Sequence, residues 1–231
     1  MELSKRLQTV ADAIQGQGAI ADIGTDHAYI PIYLILSGKT EHAIAMDVRK
    51  GPLLRAKENI QAYQLENKIE IRLSDGLEKL DDAEVDTIVI AGMGGALMAR
   101  ILSDGAHALG IKKELILQPQ SELYKVRRQL HKMGYQIIEE KMLIDEGKFY
   151  TVIRAIDGDE VYEREVEYDY GKYLLEEKNE ILLQFLQKEV ISCEKIEENL
   201  RCHHTESAKR RLEELKREKQ KLKEALSIYE M

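Results

Sequence analysis

The side chains best placed to do chemistry lie in residues 19–30, Ala-Ile-Ala-Asp-Ile-Gly-Thr-Asp-His-Ala-Tyr-Ile. A short apolar run reaches Asp22, turns at Gly24 and passes through Thr25, Asp26 and His27 into an apolar segment. A strand, tight turn and helix start of this kind is where open α/β sheets bind nucleotide-like ligands. A dinucleotide fingerprint would carry three glycines, G-x-G-x-x-G. Only Gly24 is present; Asp26 stands at the second glycine position and Tyr29 at the third. A helix N-terminus, with its partial positive charge and unpaired N–H groups, suits a phosphate. A carboxylate at Asp26 would repel a pyrophosphate and favour a cationic, phosphate-free ligand such as S-adenosylmethionine. Asp26 can equally be read as a helix N-cap, a common place for Asp.

Two further stretches carry related chemistry. Residues 42–47, His-Ala-Ile-Ala-Met-Asp, read as a short buried strand whose final acid, Asp47, lies 23 residues after Gly24. At that distance in a nucleotide-binding sheet an acid accepts ribose hydroxyls, although Asp at a strand end also serves as a turn residue. Residues 85–91 are the most continuously apolar run and are expected as a central strand. They lead into Gly92-Met93-Gly94-Gly95, where absent side chains admit a ligand close to the backbone.

These residues need a sheet to hold them. Leu3, Leu7, Val10, Ala11 and Ile14 share one face of a helix expected over residues 2–15, with Lys5 and Arg6 turned away. Strands are expected at 19–23, 42–47, 69–73, 85–91 and 114–117. Helices are expected at 28–37, with Pro31 in the first turn, at 51–63, and from Ser121, which with Glu122 resembles an N-terminal cap region. Residues 135–144 and 149–156 read as two strands joined by Asp145-Glu146-Gly147-Lys148, a hairpin. The expected fold class is α/β: a Rossmann-like sheet of the S-adenosylmethionine-dependent methyltransferase kind, ending in an antiparallel hairpin where a plain Rossmann sheet stays parallel.

Beyond Asp157 only Gly158 and Gly171 remain of the helix breakers, and apolar residues recur at steps of three and four from Leu174 to Leu200 and again from Ala208 to Leu226. Residues 201–205, with His203 and His204 read as turn residues, interrupt the pattern. A C-terminal antiparallel coiled-coil hairpin is expected, dividing the chain into domains at 1–158 and 159–231. Residues 205–231 hold eight Lys or Arg against six Glu, in a chain of net charge −8. No global basic field marks a nucleic-acid binder, so any such partner needs a local patch; Arg6, Lys125, Arg127, Arg128, Lys209, Arg210 and Arg211 are the candidates, each also readable as a solvated charge. Cys193 and Cys202 lack His or Cys at metal-ligand spacing, so no metal is expected and reduced thiols in a cytoplasm are. No apolar run approaches the roughly 18 residues of a membrane span, and no signal core opens the chain, so a soluble protein is expected.

The ordered set Asp22-Ile-Gly-Thr-Asp26-His27-Ala28-Tyr29, Asp47, Ser74-Asp75-Gly76 and Ile90-Ala-Gly-Met-Gly-Gly95, followed by a helical hairpin, resembles the bacterial TrmK-type tRNA methyltransferases, which methylate N1 of adenine 22. The resemblance spans essentially the whole chain. It implies that Asp22, Gly24 and Asp26 surround the methionine end of S-adenosylmethionine, that Asp47 holds the ribose, and that Asp75 with Gly76 faces the adenine ring. Thr25, His27, Ala28, Val48, Ser74, Ala91 and Gly92 complete the implied cofactor-binding set. Met93 would border the transferred methyl group, and Asp26, with Tyr29 behind it, is the nearest proton acceptor. The residues themselves add that Ala91-Gly92-Met93-Gly94 offers no side-chain acceptor to orient an exocyclic amine, which permits a ring nitrogen as the target. A tRNA substrate, a monomer and no membrane partner are expected. Two other readings stay open: a small-molecule methyltransferase dimerised by its coiled coil, and a non-catalytic coiled-coil binding protein.

Overall fold

A computed structural model describes residues 1–16, 18–110, 113–202 and 205–230. The chain forms two compact units, Met1–Val161 and Tyr162–Met231.

The first unit is built on seven strands: β1 (Ile20–Ile23), β2 (Ala43–Asp47), β3 (Ile69–Leu73), β4 (Thr87–Met93), β5 (Glu114–Pro119), β6 (Tyr135–Asp145) and β7 (Lys148–Asp157). They lie in the order β3-β2-β1-β4-β5-β7-β6. β1 to β5 run parallel, and β7 pairs antiparallel with both β5 and β6. The expected sheet and its closing hairpin are both present. Every residue of β1, β2 and β5 is buried, as parallel strands covered on both faces must be; such strands read as continuous apolar runs without alternation. The connecting helices are α1 (Lys5–Ala13), α2 (Tyr29–Leu36), α3 (Lys50–Ala62), α4 (Gly95–Asp104) and α5 (Leu123–Lys132).

The strand order reverses between β1 and β4, so their carboxyl ends part around a crevice. Helix α1 flanks it. The Ser4 hydroxyl caps α1 by accepting the Leu7 N–H at 3.3 Å, and Lys39 Nζ donates to the Ala11 carbonyl at 3.0 Å. The Arg6 N–H donates to Asp145 Oδ2 on β6 at 3.0 Å, tying the first turn of α1 to the hairpin.

Boundaries differ from expectation in two informative places. β4 continues two residues past Ala91 to Met93, with a register shift between Ala91 and Met93. Helix α5 starts at Leu123, and its N-cap is Glu122 at φ 51° with no side-chain cap bond, so Ser121 is not the cap. Ser121 instead serves α4: its carbonyl accepts the Gly95 N–H at 2.9 Å. A Cβ on Gly95 would lie 2.4 Å from that same oxygen, so only glycine lets the two segments meet.

The second unit contains α6 (Glu165–Tyr170), α7 (Lys172–Glu176), α8 (Glu180–Arg201) and α9 (Glu206–Glu230). The apolar run expected as one helix from Leu174 is broken at Lys178, whose φ is 50°. Asn179 then caps α8, its Oδ1 accepting the Ile181 and Leu182 N–H groups at 3.0 and 3.1 Å. A polar side chain that satisfies two orphan donors at once outweighs the periodicity that would have carried the helix through. The Tyr229 hydroxyl donates to the Asn179 carbonyl at 3.0 Å and Lys219 pairs with Glu197 at 2.7 Å, so α8 and α9 run antiparallel. Leu182, Leu186 and Cys193 are buried on α8, and Ala208, Leu215, Leu222 and Ala225 on α9. His203 and His204 lie outside the described residues. No helix among the described residues is long and apolar enough to cross a membrane.

Two glycines near helix starts should respond oppositely to the same change. Gly95→Ala is expected to destabilise the chain by about 1–3 kcal/mol, because the Ser121 backbone must move. At Gly51, in the first turn of α3, the nearest obstacle to a Cβ is Arg55 Nη1 at 3.9 Å. Gly51→Ala is therefore expected to stabilise by about 0.4–1 kcal/mol. Urea denaturation of both variants checks the pair.

Candidate functional site

The crevice at the ends of β1, β2 and β4 is a cavity of about 390 Å³. Asp22, Gly24, Thr25, Asp26, His27, Ala28, Tyr29, Asp47, Ala91 and Gly92 all line it. Three segments far apart in the chain are thus brought to one place by the parallel sheet.

The β1 turn is held by β2. The Gly24 and Thr25 N–H groups both donate to the Met46 carbonyl, at 2.7 and 2.9 Å. Gly24 has φ +77°, and a Cβ there would fall 1.9 Å from the Met93 methyl, so Met93 packs directly on the turn. Thr25 is buried, and its hydroxyl oxygen accepts the Ala28 N–H at 3.2 Å. Ala28 is the N-cap of α2 at φ 55°, fully buried, and no side chain caps this helix. The cap reading of Asp26 therefore fails. Asp26 turns toward α3, where Arg55 Nε donates to its Oδ1 at 3.0 Å and Nη2 reaches the same atom. His27 Nε2 stands 3.5 Å from the other Asp26 oxygen. Both partners of the Asp26–Arg55 pair are about half exposed, so the pair is weak and exchangeable. The His27 ring stacks on Tyr29, centroids 4.9 Å apart and planes within 8°.

Asp22 and Asp47 end or nearly end adjacent strands, and both are only 6% exposed. Asp47 Oδ1 accepts the Arg49 N–H at 2.7 Å, an Asx-type turn that fixes the side chain. Burial, with the Asp47 charge nearby, pushes the Asp22 carboxyl up to about 6, against an opposing hydrogen bond from Thr25. Two like charges in a half-closed crevice are an electrostatic demand for a cation.

At the end of β4, Gly92 is exposed at φ +80°, and a Cβ there would come within 3.7 Å of Arg6 Nη1. Arg6 is the residue the sequence reading misplaced. It was expected to face away from the core, yet its Nη1 donates to Oε1 of the fully buried Gln118 at 2.9 Å, and it lies 5.6 Å from the Tyr150 ring centre. Gln120 also lines the crevice and Gln118 supports Arg6 from beneath, both beyond the expected set. The polar Gln118-Pro119-Gln120 that closes the apolar run of the fifth strand was the available signal.

The third-strand residues lie elsewhere. Asp75 and Gly76 line a separate cavity of about 220 Å³ with Arg100 and His107. Buried Ser74 braces that turn, donating to the Gly76 carbonyl and accepting the Lys79 N–H, both at 3.2 Å. Val48 is more than half exposed beside Asp47. Of the basic candidates, Arg127 is fully buried in an ion pair with Glu140, Nε to Oε1 at 2.8 Å, so it is not a surface phosphate contact. Lys125 pairs with Glu122, Lys209 with Glu206, and Arg211 with Glu214 and Glu218. Among the described residues no cluster of three His, Cys, Asp or Glu could hold a metal ion.

This sheet order, with its antiparallel seventh strand and an acidic crevice at the β1/β4 reversal, defines a Rossmann-like methyltransferase. The sequence model of the TrmK family, described as tRNA (adenine(22)-N(1))-methyltransferase, matches residues 20–224. A Bacillus subtilis protein named tRNA (adenine(22)-N(1))-methyltransferase is 40% identical over 236 residues, covering 98% of each chain. The crystal structure of the B. subtilis m1A22 tRNA methyltransferase TrmK superposes with a TM-score of 0.88 over 97% of this chain and 98% of that one. A Streptococcus pneumoniae putative tRNA (m1A22) methyltransferase, solved in complex with S-adenosyl-L-methionine, is 36% identical, with a TM-score of 0.86 over 97% of this chain and all of the other. The chain belongs to the TrmK family.

The raised Asp22 carboxyl has a consequence for stability. A folded-state value of about 6 against an ordinary 3.8 means that the folded chain holds this proton more tightly than the unfolded chain. Ionisation therefore costs stability, not at all at low pH and fully above about pH 6. Asp22→Asn is expected to stabilise the ligand-free protein by up to ~3 kcal/mol at pH 7–8, converging on the wild type near pH 4. Thermal melts of both proteins across that range check the sign.

Proposed function

We propose that this chain is an S-adenosylmethionine-dependent methyltransferase that methylates N1 of adenine 22 in tRNA. The observation that carries this reading is the pair of buried carboxylates, Asp22 and Asp47, in a crevice whose β1 turn lacks the phosphate-binding glycines. The family to which the chain belongs supports it independently. A buried, ionisable Asp22 suits an ammonium or sulfonium, and the second Asp47 oxygen, which has no hydrogen-bond partner among the described residues, suits ribose hydroxyls.

When bound, the cofactor supplies an electrophilic methyl group on sulfur. The residues present then have separate tasks. Asp22, Gly24, Thr25, Asp26, His27 and Ala28 hold the methionyl end, and Asp47 with Val48 holds the ribose. Ser74, Asp75 and Gly76 would meet the adenine ring through the neighbouring cavity. Ala91, Gly92 and Met93 border the transferred methyl and themselves offer no side-chain acceptor to an exocyclic amine. An in-line displacement by a ring nitrogen needs positioning more than activation. The half-exposed Asp26, held by an exchangeable partner, is the acceptor for any proton released, with Tyr29 behind it.

Adenine N1 is a pairing position, so the base must be splayed out of its stack and the cost met by protein contacts. We assign that grip to the helical domain, residues 159–231. Within it Arg201, Lys216, Lys219 and Lys223 line one cavity of about 510 Å³. Lys216 and Lys223 have no carboxylate within ion-pair distance among the described residues. The enzyme is taken to be a cytoplasmic monomer, where its tRNA substrate is.

Purified protein with labelled S-adenosylmethionine should transfer methyl to unmodified tRNA and not to the same tRNA carrying guanine at position 22. Asp26→Ala should lower the rate by about 100-fold or more. Transfer to small acceptors and never to tRNA would replace the reading with a small-molecule enzyme, and absence of cofactor binding with a non-catalytic one. Lys216→Glu combined with Lys223→Glu is expected to weaken tRNA binding and flatten its salt dependence, with cofactor affinity by calorimetry unchanged.

A further inference from the structure

The two glutamines that flank Pro119 have opposite fates. Gln118 is fully buried and its amide is committed: Oε1 accepts from Arg6 Nη1 at 2.9 Å, and Nε2 donates to the Pro119 carbonyl at 3.2 Å. Gln120 is exposed and lines the crevice, and its side-chain amide has no hydrogen-bond partner among the described residues. Its root is nevertheless fixed. The Gln120 N–H donates to the Met93 carbonyl at 2.8 Å, which ties the end of β5 to the end of β4. Gln120 Nε2 lies 3.9 Å from the point where a Gly92 Cβ would be, so the amide stands beside bare backbone. A primary amide carries two N–H donors and two acceptor lone pairs. Here all of them are open, next to the glycine that borders the transferred methyl in the function proposed above. A flat ring lying against Gly92 meets this amide at its edge.

Resting on that function, we propose that Gln120 selects adenine by pairing with its Hoogsteen edge, Oε1 accepting from the N6 amine and Nε2 donating to N7. The reaction itself excludes the other pairing. N1 must keep its in-plane lone pair for the sulfonium methyl, so an amide N–H given to N1 would block the transfer. The Hoogsteen edge is what remains to be read, and an amide against adenine N6 and N7 is a bidentate match. Guanine shows acceptors at both of those positions and leaves the amide oxygen facing another oxygen. Gln120 is thus a specificity-determining residue, supplied by the fifth strand and separate from the acids that meet the cofactor.

Methyl transfer to tRNA assembled with adenine or 7-deazaadenine at position 22 tests this on the full chain. The analogue keeps N1 and N6 and replaces N7 by C–H. The preference for adenine, as a ratio of kcat/KM values, is expected to be about 10-fold larger in the wild type than in Gln120→Ala. The ratio in the variant measures the intrinsic difference between the two bases, so the comparison isolates the contact. Gln120→Glu, of the same shape but with no N–H to give N7, should lose the preference as well. On adenine itself Gln120→Ala should lower kcat/KM about 10- to 100-fold, with S-adenosylhomocysteine affinity by calorimetry unchanged. The same preference in wild type and Gln120→Ala would overturn the proposal. Loss of S-adenosylhomocysteine binding in the variant would also overturn it, since that marks damage to the crevice as a whole. If the wild type methylated neither tRNA, the proposed function itself would fall, a result distinct from both.

Discussion

The site depends on holding two like-charged carboxylates at the ends of neighbouring parallel strands, away from water. Asp22 and Asp47 are each only 6% exposed, and their proximity helps raise the Asp22 carboxyl to about 6. Nothing in the fold of the sheet requires acids there; Ala or Val would bury better on either strand. On the proposed reading Asp22 meets the cofactor's cation and Asp47 its ribose, and the surrounding backbone keeps both acids in place. The Gly24 and Thr25 N–H groups share the Met46 carbonyl, which locks the β1 turn to β2 and fixes the separation of the two strand ends.

The other half of the crevice is shaped by what is missing. Gly92 and Gly95 allow close approach at the end of β4, Gly92 beneath Arg6 and Gly95 against the Ser121 carbonyl. Met93 covers Gly24 so closely that a Cβ there would overlap its methyl group. The β1 and β4 turns are therefore one packed unit, and the position of a bound methyl group would be set by backbone and by Met93 more than by flexible polar side chains. Rigid backbone positions a reacting centre within the tolerance that in-line displacement needs.

Much of this was legible in the sequence because it is local. Continuous apolar runs ending in Asp or Gly gave the parallel strands, and the Asp145–Lys148 turn gave the antiparallel hairpin that sets the sheet apart from a plain Rossmann fold. What was not legible depends on contacts between distant segments. Arg6 lies on the polar side of an amphipathic helix by spacing, yet tertiary packing of α1 on β6 and β7 carries it to Gln118 and Tyr150. Arg127 reads as a surface cation and is fully buried against Glu140. The break at Asn179 was hidden by a periodicity that continues through it, since two hydrogen bonds to a single side chain leave no trace in the spacing of apolar residues.

The distribution of charge also bears on how product leaves. Attack by a neutral ring nitrogen on a sulfonium methyl conserves total charge: the positive charge moves from sulfur to the methylated base. Acids that favour a cation near the β1 turn therefore continue to attract the product unless the charge moves outward or a proton is lost. Buried Asp22 is poorly placed to exchange a proton with solvent, whereas Asp26 is more than half exposed and shares its carboxylate with Arg55 and His27. A partner that can let go at little energetic cost lets Asp26 change allegiance between Arg55, a cofactor cation and a leaving proton. On the proposed reading, the division into one buried and one exposed acid would separate holding the cofactor from discharging the product, the first task on the rigid strand and the second on the adjustable turn.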